Sequence, residues 1–132
     1  MTTPRQVFEQ LLAGIARGPS PDLADLYSED AIVELPYARL GGLRLEGREA
    51  IRAHFARAAQ GSPMRLTPER VTIHETTDPE VVIAEYDYRG EVKATGHVFV
   101  VSNVQIVRVR DGRIIRSRDF HDHAAMAAAL RS

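Results

Sequence analysis

The chain contains no cysteine, which removes disulfides, thiolate nucleophiles and cysteine-ligated metals from the chemistry open to it. A reducing compartment suits that composition, and the cytoplasm is the expected location. No apolar run approaches the roughly 18 residues needed to cross a bilayer, so no membrane partner is expected. The opening residues Thr2-Thr3-Pro4 are polar and lead into a helical pattern without the apolar centre of a signal peptide. Neither sign of charge dominates: 17 Lys+Arg stand against 18 Asp+Glu, a net charge of -1. That leaves no basic footprint for nucleic acid. No phosphate-cradling G-x-x-x-x-G-K or G-x-G-x-x-G pattern occurs, and Gly41-Gly42 and Gly112 read as turns. A Ser-His-Asp hydrolase would need a nucleophile elbow, which is also missing. With 132 residues the chain can bury one core and is too small for two, so a single domain spanning 1–132 is expected.

What is present falls into a helical first part and a stranded second part. Thr3 can cap a helix with Pro4 in its first turn, and Val7, Leu11, Leu12 and Ile15 repeat at helical spacing until Gly18-Pro19. Ser20 or Asp22 opens a short second helix carrying Leu23, Leu26 and Tyr27. Ala31 to Leu35 reads as a strand stopped by Pro36, residues 37–47 as a loop, and Arg48 to Ala59 as a third helix presenting Ile51, Phe55 and Ala58. Strands are expected at about Met64 to Glu75, Val81 to Arg89, Val92 to Val109 and Arg113 to Asp122. Turns fall at Asp78-Pro79, Arg89-Gly90-Glu91 and Asp111-Gly112. The tail from Ala124 to Leu130 is a short helix or a frayed end. This order predicts an α+β fold with helices packed on one face of a curved, mostly antiparallel sheet.

The segment from Ile114 to His123 carries the chemistry. A strand sends alternate side chains to opposite faces, so Ile115, Ser117, Asp119, His121 and His123 are expected on one side. Ile114, Arg116, Arg118, Phe120 and Asp122 then share the other. Asp119 and His121, with Cβ atoms roughly 6–7 Å apart on one strand face, could take a proton from carbon alpha to a carbonyl and return it elsewhere. The plainer alternative makes Asp119 an ion-pair partner of Arg116 or Arg118. His121 and His123 form an H-x-H pair that could chelate a metal. No third ligand has convincing spacing, so neither a metal nor another cofactor is expected.

Three blocks of sequence together resemble one family. They are Asp25-Leu26-Tyr27-Ser28-Glu29-Asp30-Ala31-Ile32-Val33-Glu34-Leu35-Pro36-Tyr37, then Leu45-Glu46-Gly47-Arg48-Glu49-Ala50-Ile51, then Val107 to Ile114 with Arg118-Asp119-Phe120 after it. Their order is similar to that of the nuclear-transport-factor-2-like superfamily, in its SnoaL-like and ketosteroid-isomerase-related branches. The resemblance implies a cone: three N-terminal helices packed on a strongly curved, mostly antiparallel sheet. It also implies that Leu35, Leu11 and Gln105 stand where steroid isomerases carry a base, a tyrosine and a protonated aspartic acid. Leucine neither takes a proton nor donates a hydrogen bond, so authentic steroid isomerase chemistry is not expected. On the same resemblance Tyr86, Asn103, Gln105, Asp119 and His121 face the cavity, with His54 entering from the third helix. Leu11, Ile15, Leu35, Phe55, Ala84 and Val101 would supply apolar wall. From its own position in the loop after the first strand, Tyr37 could close over a ligand or simply pack. Asp119 matches the aspartate that SnoaL-like polyketide cyclases use as an acid–base group.

The leading expectation is therefore a cofactor-independent isomerase or cyclase acting on an apolar, carbonyl-bearing molecule. Asp119 is the expected base, His121 its partner or proton carrier, and Gln105 with Asn103 the oxygen-binding donors. The alternative is a non-catalytic ligand-binding or dimerisation module using the same cavity. A third reading, an epoxide hydrolase with an Asp-Arg-Asp set around water, lacks an inward arginine. On the opposite face Val98, Val100, Val104 and Ile106 are too apolar to leave in water. Relatives dimerise through that convex side, so a homodimer is expected.

Overall fold

The computed structural model describes residues 2–131; Met1 and Ser132, the two ends of the expected domain, lie outside the described residues. Helix α1 (Pro4–Arg17) starts at a capping box, in which Thr3 Oγ1 accepts from the Gln6 amide and Gln6 Oε1 accepts from the Thr3 amide. It buries Val7, Phe8, Leu11 and Leu12. The expected second helix is a 3₁₀ turn over Pro21–Leu26. Tyr27 is not in it but begins strand β1 (Tyr27–Leu35). The expected loop 37–47 contains a four-residue strand, β2 (Leu43–Glu46), paired antiparallel with β1. Flanking glycines and its shortness hid it. Helix α2 (Arg48–Gly61) follows, then β3 (Met64–Glu75), β4 (Val81–Val92), β5 (Val98–Arg110), β6 (Arg113–Phe120) and helix α3 (His123–Leu130). Two α-helices and a 3₁₀ turn thus replace the three N-terminal helices, and a further helix closes the described chain.

Among the described residues the six strands form one sheet in the order β2-β1-β6-β5-β4-β3. All pairings are antiparallel except that of β1 with β6. Register shifts interrupt the β1–β6, β3–β4 and β5–β6 ladders. Such bulges bend a strand and increase its twist, and α1 and α2 pack on the concave side that results. There Phe8, Leu11 and Ile51 meet Val33, Ala84, Tyr86, Val107 and Ile114 in the buried core.

Two expectations about the strands are corrected. Gly90 is not a turn but lies inside β4 opposite Phe99. A Cβ at Gly90 would sit 2.2 Å from Phe99 Cζ, so the glycine makes room for that ring. The chain reverses instead at residues 93–97, where Gly96 has φ +75° and its amide bonds Val92 O at 2.8 Å. In β6, Val109 pairs with Ile114 and Arg108 with Arg116, leaving Ile115 as the extra residue of a bulge. Ile114, fully buried, therefore shares the inner face with Ser117 and Asp119 in place of Ile115. No helix among the described residues is long and apolar enough to cross a membrane.

Candidate active site

A cavity of about 230 Å³ opens between α1, α2 and the concave sheet. Its walls are mostly aliphatic: Leu11 and Ile15 come from α1, Val33 and Leu35 from β1, Leu45 from β2, and Ile51 from α2. Strand alternation explains Leu35, since its neighbour Glu34 turns outward and pairs with Arg116 at 2.6 Å. His54 and Phe55 enter from α2, Tyr27 from β1, Tyr88 from β4 and Gln105 from β5. Asp119 sits at the end of β6, while His121 lies past it and His123 is the first residue of α3.

The polar side chains on the inner face are joined. Tyr86 Oη donates to Gln105 Oε1 at 2.7 Å and lies 3.3 Å from His121 Nε2. Gln105 Nε2 donates to Ser117 Oγ at 3.0 Å, and Ser117 Oγ donates to Asp119 Oδ1. Ser117 is completely buried and Asp119 is 8% exposed. Burial pushes the Asp119 carboxyl up to about 7, against the opposing pull of hydrogen bonds from Ser117 and Gln105. Burial pushes His121 down to about 4, with the nearby His123 adding to the effect. Burial also lifts Tyr88 to about 12 and Tyr27 well above its ordinary value. Both phenols keep their protons and stay hydrogen-bond donors. His54 is lowered by burial, with smaller contributions from Arg57 and His123.

The structure gathers Leu11, Ile15, Leu35, His54, Phe55, Gln105, Asp119 and His121 around one cavity. Tyr86, Ala84, Val101 and Asn103 are buried on the same face of their strands, yet they do not line this cavity. Asn103 therefore does not reach a ligand there as an oxygen-binding donor; among the described residues its Nδ2 and Oδ1 have no hydrogen-bond partner. Gln105 does reach the cavity, but its amide already serves Ser117 and Tyr86. Tyr37 is 64% exposed and packs edge-on against Phe120, ring centres 5.5 Å apart, outside the cavity. Neither arginine pairs with Asp119: Arg116 holds Glu34 and Arg118 lies over the Phe120 ring. The His121 and His123 rings are 5.7 Å apart and tilted, and no group of three ligating side chains among the described residues is arranged to hold a metal ion.

Sequence reasoning missed Tyr27, which helical spacing assigned to the second helix. Its parallel pairing with Ile114, a contact between distant segments, is what brings it to the site. Tyr88 had a usable signal, its two-residue spacing from Tyr86. Ser117 was visible as a hydroxyl in register with Asp119, without a role.

The fold that holds this site has counterparts among known proteins. The model of the SnoaL-like domain matches residues 8–117, and the chain belongs to that family. It is 32% identical over 124 residues to an uncharacterised PhzA/B-like protein of Pseudomonas aeruginosa, covering 88% of this chain and 82% of that protein. Among crystal structures, a "putative isomerase" from Bacillus subtilis superposes with a TM-score of 0.85 at 27% identity, covering 96% of this chain and 91% of that one. A "putative polyketide cyclase" from Xanthomonas campestris gives a TM-score of 0.80 at 20% identity, with 96% of each chain covered.

Proposed function

We propose that the cavity binds a mostly apolar carbonyl compound and that Asp119 transfers a proton on it, as an isomerase or cyclase does. The observation that carries this reading is the buried Asp119 carboxyl facing a mostly apolar cavity, where desolvation raises it to about 7. Near neutral pH both of its forms are populated, which suits a group that must take a proton and give it back. The carboxylate removes a proton from carbon alpha to the carbonyl, and the C–H electron pair moves onto oxygen as an enolate. The Tyr27 or Tyr88 hydroxyl, each lining the cavity, donates to that oxygen. Protonated Asp119 then returns the proton to another carbon, or to the alkoxide formed when the enolate closes a ring. His121 serves as a neutral hydrogen-bonding group. With its conjugate acid lost above about 4, it is too weak a base to carry the proton at neutral pH.

The test is exchange of alpha hydrogens for deuterium in a panel of small apolar ketones, followed by NMR. Asp119→Asn is expected to slow exchange by about 100-fold or more. Undiminished exchange in that variant would remove the mechanism. Leu11 and Leu35 both line the cavity and offer only van der Waals contact, which favours the second reading, a non-catalytic binder. Ketones that shift the resonances of cavity residues yet never exchange in the unaltered protein would establish that reading instead.

Exposed apolar residues on the convex side support a homodimer as well. Val98, Val100 and Val104 on β5 are 42%, 55% and 39% exposed, a ridge that water solvates poorly. Val100→Glu is expected to convert a dimer to a monomer in sedimentation analysis.

A further inference from the structure

The inner-face groups fit together in one proton arrangement. Tyr86 has a single O–H, and it points to Gln105 Oε1 at 2.7 Å. With that proton on Gln105, Tyr86 Oη is an acceptor for its other neighbours, the Tyr88 hydroxyl and His121 Nε2 3.3 Å away, and the arrangement expects the His121 proton on Nε2. With Oε1 held by Tyr86, the Gln105 amide turns Nε2 to Ser117 Oγ at 3.0 Å. Ser117 accepts that bond and directs its own single proton to Asp119 Oδ1. Every donor in the chain points toward the carboxylate, and Gln105 adds its own, smaller hydrogen-bonding pull on Asp119 beside that of Ser117.

We propose that Ser117, oriented by Gln105 and Tyr86, is a positioning residue that keeps Asp119 Oδ1 a hydrogen-bond acceptor, so that the proton Asp119 gains and loses is carried on Oδ2. The two carboxyl oxygens are then inequivalent before any ligand arrives, and Oδ2 is the atom that meets the C–H bond. That catalytic meaning rests on the proposed function, whereas the arrangement itself is measurable in the ligand-free protein. The surrounding groups leave the titration of Asp119 readable. Tyr27 from β1 and Tyr86 and Tyr88 from β4 are held protonated by burial. His121 stays neutral above about 4, and His54 on α2 and His123 on α3 are lowered from 6.5. Arg116 and Arg118 are engaged elsewhere, on Glu34 and the Phe120 ring.

The experiment is a carbon-13 carboxyl NMR titration of Asp119 in the full ligand-free chain, with nitrogen-15 shifts of His121 recorded in parallel. Ser117→Ala removes a bond donated to the charged form, so the Asp119 midpoint should rise by about one unit. Ser117→Thr, which keeps the hydroxyl, should restore it. Tyr86→Phe should raise the midpoint less and leave His121 in mixed tautomers, a result that decides the matter even where Ser117→Ala does not fold. An unmoved Asp119 midpoint in a folded Ser117→Ala protein overturns the proposal. So does a His121 proton on Nδ1 in the unaltered protein, because it requires the chain of donors to run the other way. Absence of ketone exchange leaves all these readouts intact, so the failure of the proposed function is separable from the failure of this one.

Discussion

The two faces of the same sheet treat carboxylates in opposite ways. On the outer side Glu34 is lowered chiefly by its hydrogen bond from Arg116, and Glu80, in the turn before β4 and held by Arg110 and Arg108 of β5, is lowered to about 2. On the inner side Asp119 goes up to about 7. Yet Arg116 and Arg118 are close neighbours of Asp119 along β6. Strand alternation separates them: the pleat sends Arg116 and Arg118 out and Ser117 and Asp119 in. What distinguishes a raised carboxyl from a lowered one here is thus the face it occupies, since sequence neighbours of opposite charge are held on the other side of the backbone.

The bulge sets the phase of that division, and the largest expected effect tests it. Ile114→Ala, at a fully buried side chain, should cost about 3 kcal/mol in denaturant unfolding. Ile115→Ala, on the partly exposed bulge residue, should cost less than about 1 kcal/mol. Equal costs would mean that the inner face is assigned in the wrong phase.

Next in size comes the removal of the inner charge. The folded pKa of Asp119 is raised from 3.8 to about 7, so the folded state holds a proton more tightly than the unfolded chain. Stability contributed by the neutral form is present at low pH and is lost as pH rises through about 7. Asp119→Asn should therefore stabilise the protein near pH 8, by about 2 kcal/mol, measured by urea unfolding. A loss of stability there would show that the carboxylate is better solvated than its burial implies.

His121 has the opposite sign. Its folded pKa is depressed from 6.5 to about 4, so its contribution is present above 6.5 and is lost as pH falls toward about 4. Between those limits the slopes from Asp119 and His121 oppose each other. Relative to the unaltered protein, Asp119→Asn should gain stability with rising pH across this window, by up to about 1.4 kcal/mol per pH unit. His121→Gln should show the mirror trend. Parallel curves for all three proteins would refute the assignment of these two groups. The smallest effect belongs to the outer face, where Glu80→Gln, in an exposed ion-pair cluster, should leave the unfolding midpoint nearly unchanged.

Much of this was legible in the sequence, for physical reasons that differ by residue. The family resemblance put Gln105 on the inner face of β5, and the strict alternation of that long strand keeps its inner residues together. The capped start of α1 follows from Thr3 and Pro4, whose interactions are local. Ile114 was assigned to the wrong side because alternation assumes an unbroken ladder, and the extra residue at Ile115 shows only against β5. Gly90 was read as a turn because glycine commonly marks one, whereas here it accommodates a ring from the next strand. Tyr37 and Asn103 were chemically suitable, but one lies on the outside and the other does not line the cavity.

The sequence by itself determined the order of most elements and the presence of an aspartate in register with a serine. Those properties depend on residue type and short-range spacing. The tertiary structure alone decided that Tyr27 joins the cavity, that His121 turns to Tyr86, and that Asp119 has Ser117 and Gln105 as partners in place of an arginine. Each of those outcomes depends on distant segments meeting and on how much water they exclude, and water exclusion is what moves the Asp119 carboxyl into the neutral range.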